Sequence, residues 1–306
     1  MLRYINLLIE FISYKKNQML SSHTDNKIII DHGTYYTKYG YSGYSKPFDK
    51  IKSKLYKNTE TGAIITHKND IDLTIFKPLI IIKNSVIIDF ENITYLWDSI
   101  FESLAADTKN CSIMIIEPIF IPPNYHDTIQ KIMLNKYNIK KVTFCNQQLL
   151  GLYGTCSDKG IIIDIGHSNT RIVPIFDSYI LIEGIVLFSV CRESYNRYIF
   201  SLHKKEEKTN FQEMLFNPGM FGIMDTSLTD AVIKCIRLCP IDLRKRLCQN
   251  IVIIGGGSIG TNICNILKSF LEKNLEGITV TVTAPTNRHI ISWLGGSIVS
   301  SISNSK

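Results

Sequence analysis

The sequence has no pair of cysteines in Cys-x-x-Cys spacing, although it contains eight cysteines in 306 residues. Structural zinc sites and dithiol redox motifs commonly have such a pair, and small secreted domains have a dense cysteine framework. Cys235 and Cys239 stand one helical turn apart, but no pair of histidines accompanies them. We therefore expect buried, reduced thiols and a cytoplasmic location.

A long apolar segment is also missing from the N-terminal region. The apolar stretch at 2–12 is shorter than a membrane-spanning helix and is interrupted by Glu10. Lys15 and Lys16 follow this stretch, whereas the positive charge of a secretory signal precedes its apolar part. The pattern predicts neither a membrane span nor a signal peptide, and we interpret residues 1–26 as an N-terminal extension.

The basic residues are not concentrated in one region of the sequence. The formal net charge is +7, but the 34 lysines and arginines are spread along the chain in short clusters such as Lys204-Lys205, with the run at 241–246 as the exception. A solvated surface explains this distribution better than a nucleic-acid partner does. Hydrophobic residues make up 45% and charged residues 20%, which is typical of a folded protein long enough for two domains.

A β-hairpin pattern occurs twice, at positions 133 residues apart (164 − 31). The sequences Lys-Ile-Ile-Ile-Asp at 27–31 and Gly-Ile-Ile-Ile-Asp at 160–164 each precede a glycine-containing turn and a second strand. Residues Asp31, Gly33, Thr37 and Lys38 of the first copy correspond to Asp164, Gly166, Thr170 and Arg171 of the second. The repeat predicts a duplicated α/β domain.

Each hairpin turn has the residue types of a phosphate-binding device. Glycine lets the backbone N–H groups of the turn approach an anion, and the acid at the strand end can hold a hydrated Mg²⁺. A third glycine element, Asn-Ile-Val-Ile-Ile-Gly-Gly-Gly-Ser at 250–258, reads as a buried strand that leads into a helix at 261–274. A helix start of this kind can bind an anion, although many strand-to-helix turns need glycine for backbone geometry alone.

Strand and helix patterns alternate between the two hairpins. Strands are predicted at 112–116 and 141–144, and helices from 121 to 137 and from 147 to 153. This alternation is typical of a mostly parallel sheet covered by helices.

These motifs, in this order, resemble the actin, heat-shock ATPase and sugar-kinase superfamily, and their details resemble its actin branch. The resemblance covers residues 27–302. Beyond the hairpins it rests on Glu-Pro-x5-Asn at 117–124, Gln-Gln-Leu-Leu-Gly-Leu-Tyr at 147–153, Val-Pro-Ile-Phe at 173–176, the glycine element at 250–256, and Trp-Leu-Gly-Gly-Ser-Ile at 293–298. Within that branch, Cys-Pro-Ile-Asp-Leu-Arg-Lys-Arg-Leu at 239–247 resembles the pointed-end actin-related protein of dynactin, the tenth or eleventh class.

The resemblance implies an α/β, actin-like fold with duplicated domains around a nucleotide cleft and reduced outer subdomains. The first lobe is expected at 27–157, with the segment 288–306 returning to it, and the second lobe at 158–287. The outer insertions would be shortened to 44–76 and 191–211. We interpret the second of these, with its charged run at 203–208, as a solvated loop.

The resemblance also implies that the chain binds ATP or ADP with Mg²⁺. Asp31 and Asp164 would orient the metal through water, and Gln147 is the candidate residue for positioning the attacking water. The phosphates would be held by three groups of residues: Gly33, Thr34, Tyr35 and Lys38; Asp164, Gly166, His167, Ser168 and Arg171; and Gly255, Gly256 and Gly257.

His167, Ser168 and Arg171 depart from the actin pattern, which has an acid, a glycine and a histidine at these positions. Histidine in place of a carboxylate removes negative charge near Mg²⁺, and arginine cannot accept a proton at neutral pH. We therefore expect slow or absent ATP hydrolysis and do not expect an enzyme.

The shortened insertions favour a non-polymerising structural subunit, because a filament protomer needs complementary surfaces at both ends and a terminal subunit needs one. The sequence end at Lys306 adds the expectation that the family's C-terminal helices are absent or replaced. The resemblance implies a pointed-end cap on a short actin-like filament, in a cytoskeletal, dynactin-like complex that supports dynein-driven transport. Its partners would be actin-like filament subunits and other pointed-end subunits. The alternatives are an active ATPase of the actin/heat-shock superfamily and an actin-related subunit of a nuclear chromatin complex.

Overall fold

The structure is a computed structural model that describes residues 26–66, 71–202 and 210–303. The interpretations of residues 1–25 and of the charged run at 203–208 lie outside these ranges. The chain divides into two units. The first extends to Cys156 and includes the segment from Ser292, and the second is Ser157–Ile291. The unit boundaries therefore fall at 157 and 292, where the sequence had suggested 158 and 288.

Strands and helices alternate along most of the described chain. In chain order the elements are β1 (Asn26–His32), β2 (Tyr36–Tyr41), β3 (Asp49–Lys52), β4 (Lys54–Asn58), β5 (Ile64–Thr66), β6 (Phe76–Ile80), β7 (Ile82–Lys83), β8 (Val86–Ile87), α1 (Ile93–Ser103), β9 (Cys111–Glu117), α2 (Tyr125–Asn135), β10 (Lys141–Asn146), α3 (Gln147–Tyr153), β11 (Gly160–Ile165), β12 (Thr170–Phe176), β13 (Tyr179–Ile180), β14 (Val186–Phe188), α4 (Arg192–Ser201), α5 (Phe211–Phe216), α6 (Leu228–Leu238), α7 (Ile241–Cys248), β15 (Ile251–Ile254), α8 (Ile263–Asn274), β16 (Val282–Thr283) and α9 (Ile291–Ser303). The described 3₁₀ turns are Thr108–Asn110, Ile182–Gly184, Pro218–Phe221 and Gly256–Ser258.

The two units contain sheets of the same topology. The strand order is β10-β9-β1-β2-β3 in the first unit and β16-β15-β11-β12-β13 in the second, where β14 also pairs with β12. In each sheet the first two strands form an antiparallel hairpin and the later strands run parallel to the first strand. Asp31 lies opposite Lys38, and Asp164 lies opposite Arg171, at the same register position. The structure therefore confirms the duplication predicted from the sequence.

The central strands are buried on both faces, which explains their continuous apolar sequence. In the first unit, Ile28 and Ile30 of β1 join a core with residues of α1 and α2, while Ile29 joins a second cluster with Trp293 of α9. In the second unit, β11, β12 and β15 share a core with α6 and α8. Alternate residues of β1 thus anchor helices on opposite faces of one sheet.

The Trp-Leu-Gly-Gly motif has a packing role in the first unit. Trp293 is fully buried, and its Nε1 donates a hydrogen bond of 3.2 Å to the backbone oxygen of Ile29. A Cβ atom added at Gly295 would lie 1.9 Å from the backbone oxygen of Leu150 in α3. Glycine at this position is therefore required for α9 to approach the α3 backbone.

Several local predictions need correction. Residues 192–201, expected in a loop, form helix α4. The helix expected at 121–137 is limited to Tyr125–Asn135 because Asn124, in the left-handed region at φ 59°, precedes its first turn. For the segment at 44–76 no secondary structure was predicted; β3, β4 and β5 lie in it, and β4 and β5 form a small antiparallel sheet with β6, which begins at Phe76. Cys156, expected to be buried, is exposed.

No helix in the described ranges combines the length and the apolar character that crossing a membrane requires.

Candidate functional site

Three residues predicted at the nucleotide site meet at the end of β1. The Nζ atom of Lys38 lies 2.6 Å from Oδ2 of Asp31, and Nε2 of Gln147 lies 3.5 Å from Oδ1 of the same carboxylate. Asp31 is 1% exposed. The parallel strands β1, β9 and β10 end at the same edge of the sheet, so Gln147, which directly follows β10, is brought beside Asp31.

The start of α3 is fixed by a side-chain cap. The side chain of Asn146 accepts hydrogen bonds from the backbone nitrogens of Gln148 and Leu149, both at 3.0 Å. Such a cap satisfies N–H groups that the first helical turn leaves unpaired. It therefore also holds Gln147, the first residue of the helix, at its place next to the carboxylate.

The first hairpin turn is held by its own hydrogen bonds. The backbone nitrogen of Gly33 donates to the oxygen of Tyr36, and a Cβ atom on Gly33 would lie 2.6 Å from that oxygen. Oγ of Ser53 donates to the oxygen of Gly33 at 2.6 Å, and Oγ1 of Thr34 accepts from the nitrogen of Ser85 at 3.0 Å. Ser53 and Ser85 were not predicted, because both lie far from the turn in sequence. These hydrogen bonds fix the conformation of the turn without a ligand.

Two buried polar atoms near this turn have no hydrogen-bond partner among the described residues: Oε1 of Gln147 and Nδ1 of His32. Nε2 of His32 accepts a hydrogen bond of 3.0 Å from Nε1 of Trp97, and burial lowers the pKa of His32 to about 3. His32 is therefore neutral and carries its proton on Nδ1. The unpartnered amide oxygen of Gln147, beside a lysine and a carboxylate, fits a ligand or bound water that donates a hydrogen bond.

On the second hairpin, a buried aspartate and a buried arginine lie opposite each other. Asp164 is 5% exposed and Arg171 is 6% exposed, and the two lie opposite each other on β11 and β12. Burial lowers the pKa of Arg171, whereas the nearby Asp164 raises it. The carboxylate thus offsets part of the cost of burying the guanidinium.

The turn of this hairpin contacts the start of α4. The backbone nitrogen of Glu193 donates to the oxygen of His167 at 2.7 Å. Burial lowers the pKa of His167, and the nearby Arg192 acts in the same direction, while Glu193 opposes them. Ser168, which follows His167 in the turn, is half-buried.

The glycine turn after β15 packs directly on the second hairpin. Gly255 has φ +91°, and a Cβ atom there would lie 2.3 Å from the oxygen of Ile165 and 2.6 Å from Oδ1 of Asp164. A Cβ atom on Gly257 would lie 2.4 Å from the oxygen of Gly166. These two glycines are therefore explained by close backbone approach.

Gly256, between these two residues, faces open space. The nearest atom to an added Cβ is Cβ of His289 at 3.9 Å, so this position leaves room for a ligand. The helix predicted at 261–274 begins at Ile263, and the 3₁₀ turn Gly256–Ser258, which includes two of the three glycines, precedes it.

Arg288 fixes the glycine turn and was missed by sequence reasoning. Its Nε donates to Oγ of Ser258 at 2.9 Å, its Nη2 donates to the oxygen of Ser258 at 3.0 Å, and its own backbone oxygen accepts from the nitrogen of Gly255 at 3.1 Å. Arg288 lies 30 residues beyond Ser258. No local spacing pattern could have paired them.

The chain matches one family model and several known proteins over most of its length. The family model described as Actin matches residues 22–209 and 201–306. The chain belongs to the actin family. It is 21% identical to Actin-like protein 7A of Mus musculus, with 90% of this chain and 77% of that protein covered. It is 23% identical to Actin-related protein 2 of Schizosaccharomyces pombe, with 90% and 91% covered, and 22% identical to Actin-like protein 9 of Rattus norvegicus, with 90% and 82% covered.

Within the matched region, this actin-family chain is shorter than its relative Actin-related protein 2. The match to Actin-related protein 2 extends over 356 positions, whereas 90% of 306 residues is only about 275. The relative therefore has additional residues inside the matched region. This is the pattern expected if internal segments of the family fold are short in this chain.

Proposed function

We propose that this actin-family chain is a non-polymerising structural subunit that binds ATP or ADP with Mg²⁺ and hydrolyses ATP slowly or not at all. The observation that carries the proposal is the cluster of Asp31, Lys38 and Gln147 at the end of β1. It combines a cation for phosphate oxygens, a carboxylate for metal-bound water and an amide with a free acceptor atom.

The phosphate groups would be held mainly by the first hairpin. Lys38 supplies the positive charge, and the turn that Gly33 opens would bring the backbone at Thr34 and Tyr35 to the phosphate oxygens. In the second unit, Gly256 leaves open space beside the hairpin at Gly166 and His167. Bound Mg²⁺ would neutralise charge on the phosphate oxygens, and Asp31 of the first unit would hold water ligands of the ion, the role that the resemblance also implies for Asp164.

Slow hydrolysis is expected because Gln147, Arg171 and His167 are poor proton acceptors. Gln147 can orient a water molecule, but its amide does not take up a proton at neutral pH. Arg171 is protonated and lies opposite Asp164. The lowered pKa of His167 makes its imidazole a weaker base than an exposed histidine. None of these three residues is suited to activate water.

Nucleotide binding is tested by titration calorimetry of the nucleotide-free chain with Mg-ATP. The Asp31→Asn/Lys38→Gln double variant removes both charges of the cluster, so that no buried charge is left alone. We expect it to weaken binding at least about tenfold, the size of effect given by one lost charged contact. Lys131→Gln changes an exposed lysine of α2 and serves as the matched control. Equal affinity of the double variant and the control would refute the assigned site.

Hydrolysis is tested separately by release of γ-phosphate. We expect a rate well below that of polymerising actin measured in parallel. A comparable rate would contradict the proposal and favour an active ATPase.

The finer proposal is that the chain caps the pointed end of a short actin-like filament in a dynactin-like complex. The run at 239–247, the short internal segments and the unequal lengths in the alignments support it.

Native mass spectrometry of the purified complex should detect actin-like protomers, other pointed-end subunits and a bound nucleotide. Co-purification with chromatin subunits instead would favour the nuclear alternative, and pelleting of the pure chain as filaments would contradict a non-polymerising subunit.

A further inference from the structure

Lysines are concentrated in one part of the first unit, a local enrichment that the overall charge distribution conceals. The segment 46–57 contains five lysines and one acidic residue. Two of these lysines, Lys50 and Lys52, lie on strand β3. Because alternate residues of a strand point to the same side, both side chains lie on one face of the sheet.

Tyrosines on the neighbouring strand hold these lysines in defined positions. Tyr36 of β2 lies opposite Lys52, and its ring meets that of Tyr35 edge to face at 4.8 Å. Nζ of Lys50 lies 4.7 Å from the centre of the Tyr36 ring, and Nζ of Lys52 lies 4.5 Å and 5.5 Å from the rings of Tyr35 and Tyr36. Nζ of Lys52 also donates a hydrogen bond of 2.9 Å to the hydroxyl of Tyr35. These four residues are called the lysine-tyrosine face below.

The two lysines of this face have no acidic partner within the part of the chain that the structure describes. The ion pairs found there involve Lys38, His126, Lys136, Arg197 and Lys268. Lys38, which lies directly opposite Lys50, is paired with Asp31. Among the described residues, the ammonium group of Lys38 is thus paired with a carboxylate and those of Lys50 and Lys52 are not, while Asp49 of β3 accepts a hydrogen bond from the backbone nitrogen of Lys50.

Lysines on an edge strand also discourage sheets from pairing edge to edge, and β3 is the terminal strand of its sheet. That role requires only charge. Protection of the edge does not require that the ammonium groups of Lys50 and Lys52 both contact the ring of Tyr36. It also does not require the hydrogen bond that holds Lys52. Bringing two like charges together raises the local positive potential, which favours an anionic ligand.

We propose that the lysine-tyrosine face is a docking surface for an extended acidic segment of a partner protein. Acidic residues at alternate positions of such a segment match Lys50 and Lys52, and an extended chain can run beside a terminal strand. Single-stranded nucleic acid fits less well, because its bases stack on aromatic faces and ammonium groups already cover these rings. The proposal does not depend on nucleotide binding.

The test is fluorescence anisotropy with the full chain and a labelled peptide of alternating glutamate and threonine. The Lys50→Gln/Lys52→Gln variant should weaken binding about tenfold or more, because two contacts between opposite charges are lost. The Lys109→Gln/Lys131→Gln variant removes the same charge from exposed positions of the same unit and should bind as the wild type does. Tyr35→Phe, which removes the acceptor that holds Lys52, should give an intermediate loss.

Specificity is tested with a glutamine-threonine peptide and with oligouridylate of similar length. Binding of the acidic peptide alone, weakened by added salt, supports the proposal. Four results would overturn it: no binding of the acidic peptide, equal binding of the glutamine peptide, tighter binding of oligouridylate, or equal losses in the two double variants. Nucleotide titration of the Lys50→Gln/Lys52→Gln variant is expected to match the wild type, which keeps this outcome separate from that of the proposed function.

Discussion

Removing Lys38 should destabilise the first unit even when no nucleotide is present. The side chain of Asp31 is 2% exposed, that of Lys38 is 16% exposed, and the two are 2.6 Å apart. Lys38→Met would leave a buried carboxylate whose side-chain contact with the Nε2 atom of Gln147 is 3.5 Å long. Breaking a buried ion pair in this way costs about 3–5 kcal/mol, because the remaining charge stays out of water without compensation.

The assay is urea unfolding followed by circular dichroism at neutral pH, without added nucleotide. A double-mutant cycle with Lys38→Met, Asp31→Asn and the combined variant separates the pair from its surroundings. We expect the combined variant to be more stable than Lys38→Met, since it removes the buried charge itself. Lys136 and Asp98 form an exposed ion pair at 3.1 Å, so Lys136→Met should cost less than about 1 kcal/mol. If Lys38→Met costs no more than Lys136→Met, Asp31 does not depend on Lys38 for its burial, and the reasoning is wrong.

Two further predictions concern His32 and the glycine turn. The pKa of His32 is about 3 in the folded chain against 6.5 for an ordinary histidine, so the unfolded chain takes up a proton first as the pH falls below 6.5. The free energy of unfolding should therefore decrease by about 1.4 kcal/mol per pH unit towards pH 4.5, and urea titrations of His32→Gln should lack this contribution. In the glycine turn, Gly256→Ala should stay within about 1 kcal/mol of the wild type, whereas Gly255→Ala should lose about 3 kcal/mol or more, because it combines φ +91° with a contact of 2.3 Å. Thermal unfolding of the two variants side by side checks this, and equal stabilities would contradict the packing of the turn on the second hairpin.

The sequence was sufficient to find the repeated hairpins and the family. Runs of isoleucine ending on Asp31 and Asp164 predict buried strands locally, and the offset between them transfers the register of one hairpin to the other. The resemblance to the actin family implied that Asp31, Lys38 and Gln147 serve one nucleotide site, and they meet in the structure because the parallel strands β1, β9 and β10 end at a common edge. The solvated loop expected at 191–211 was wrong for the part that forms α4, since its polar sequence concealed a helix.

What the sequence alone determined is the alternation of strands and helices between the two hairpins, the duplication and the residue types at the ends of the hairpin strands, because these follow from local periodicity and spacing. Only the tertiary structure decided which glycines are needed for packing, which partners fix the two turns, and that among the described residues Lys38 is in an ion pair while Lys50 and Lys52 are not. The physical reason is that close approach, burial and charge compensation are properties of atoms that meet in space. Residues distant along the chain, such as Arg288 and Ser258, leave no pattern in the sequence that would pair them.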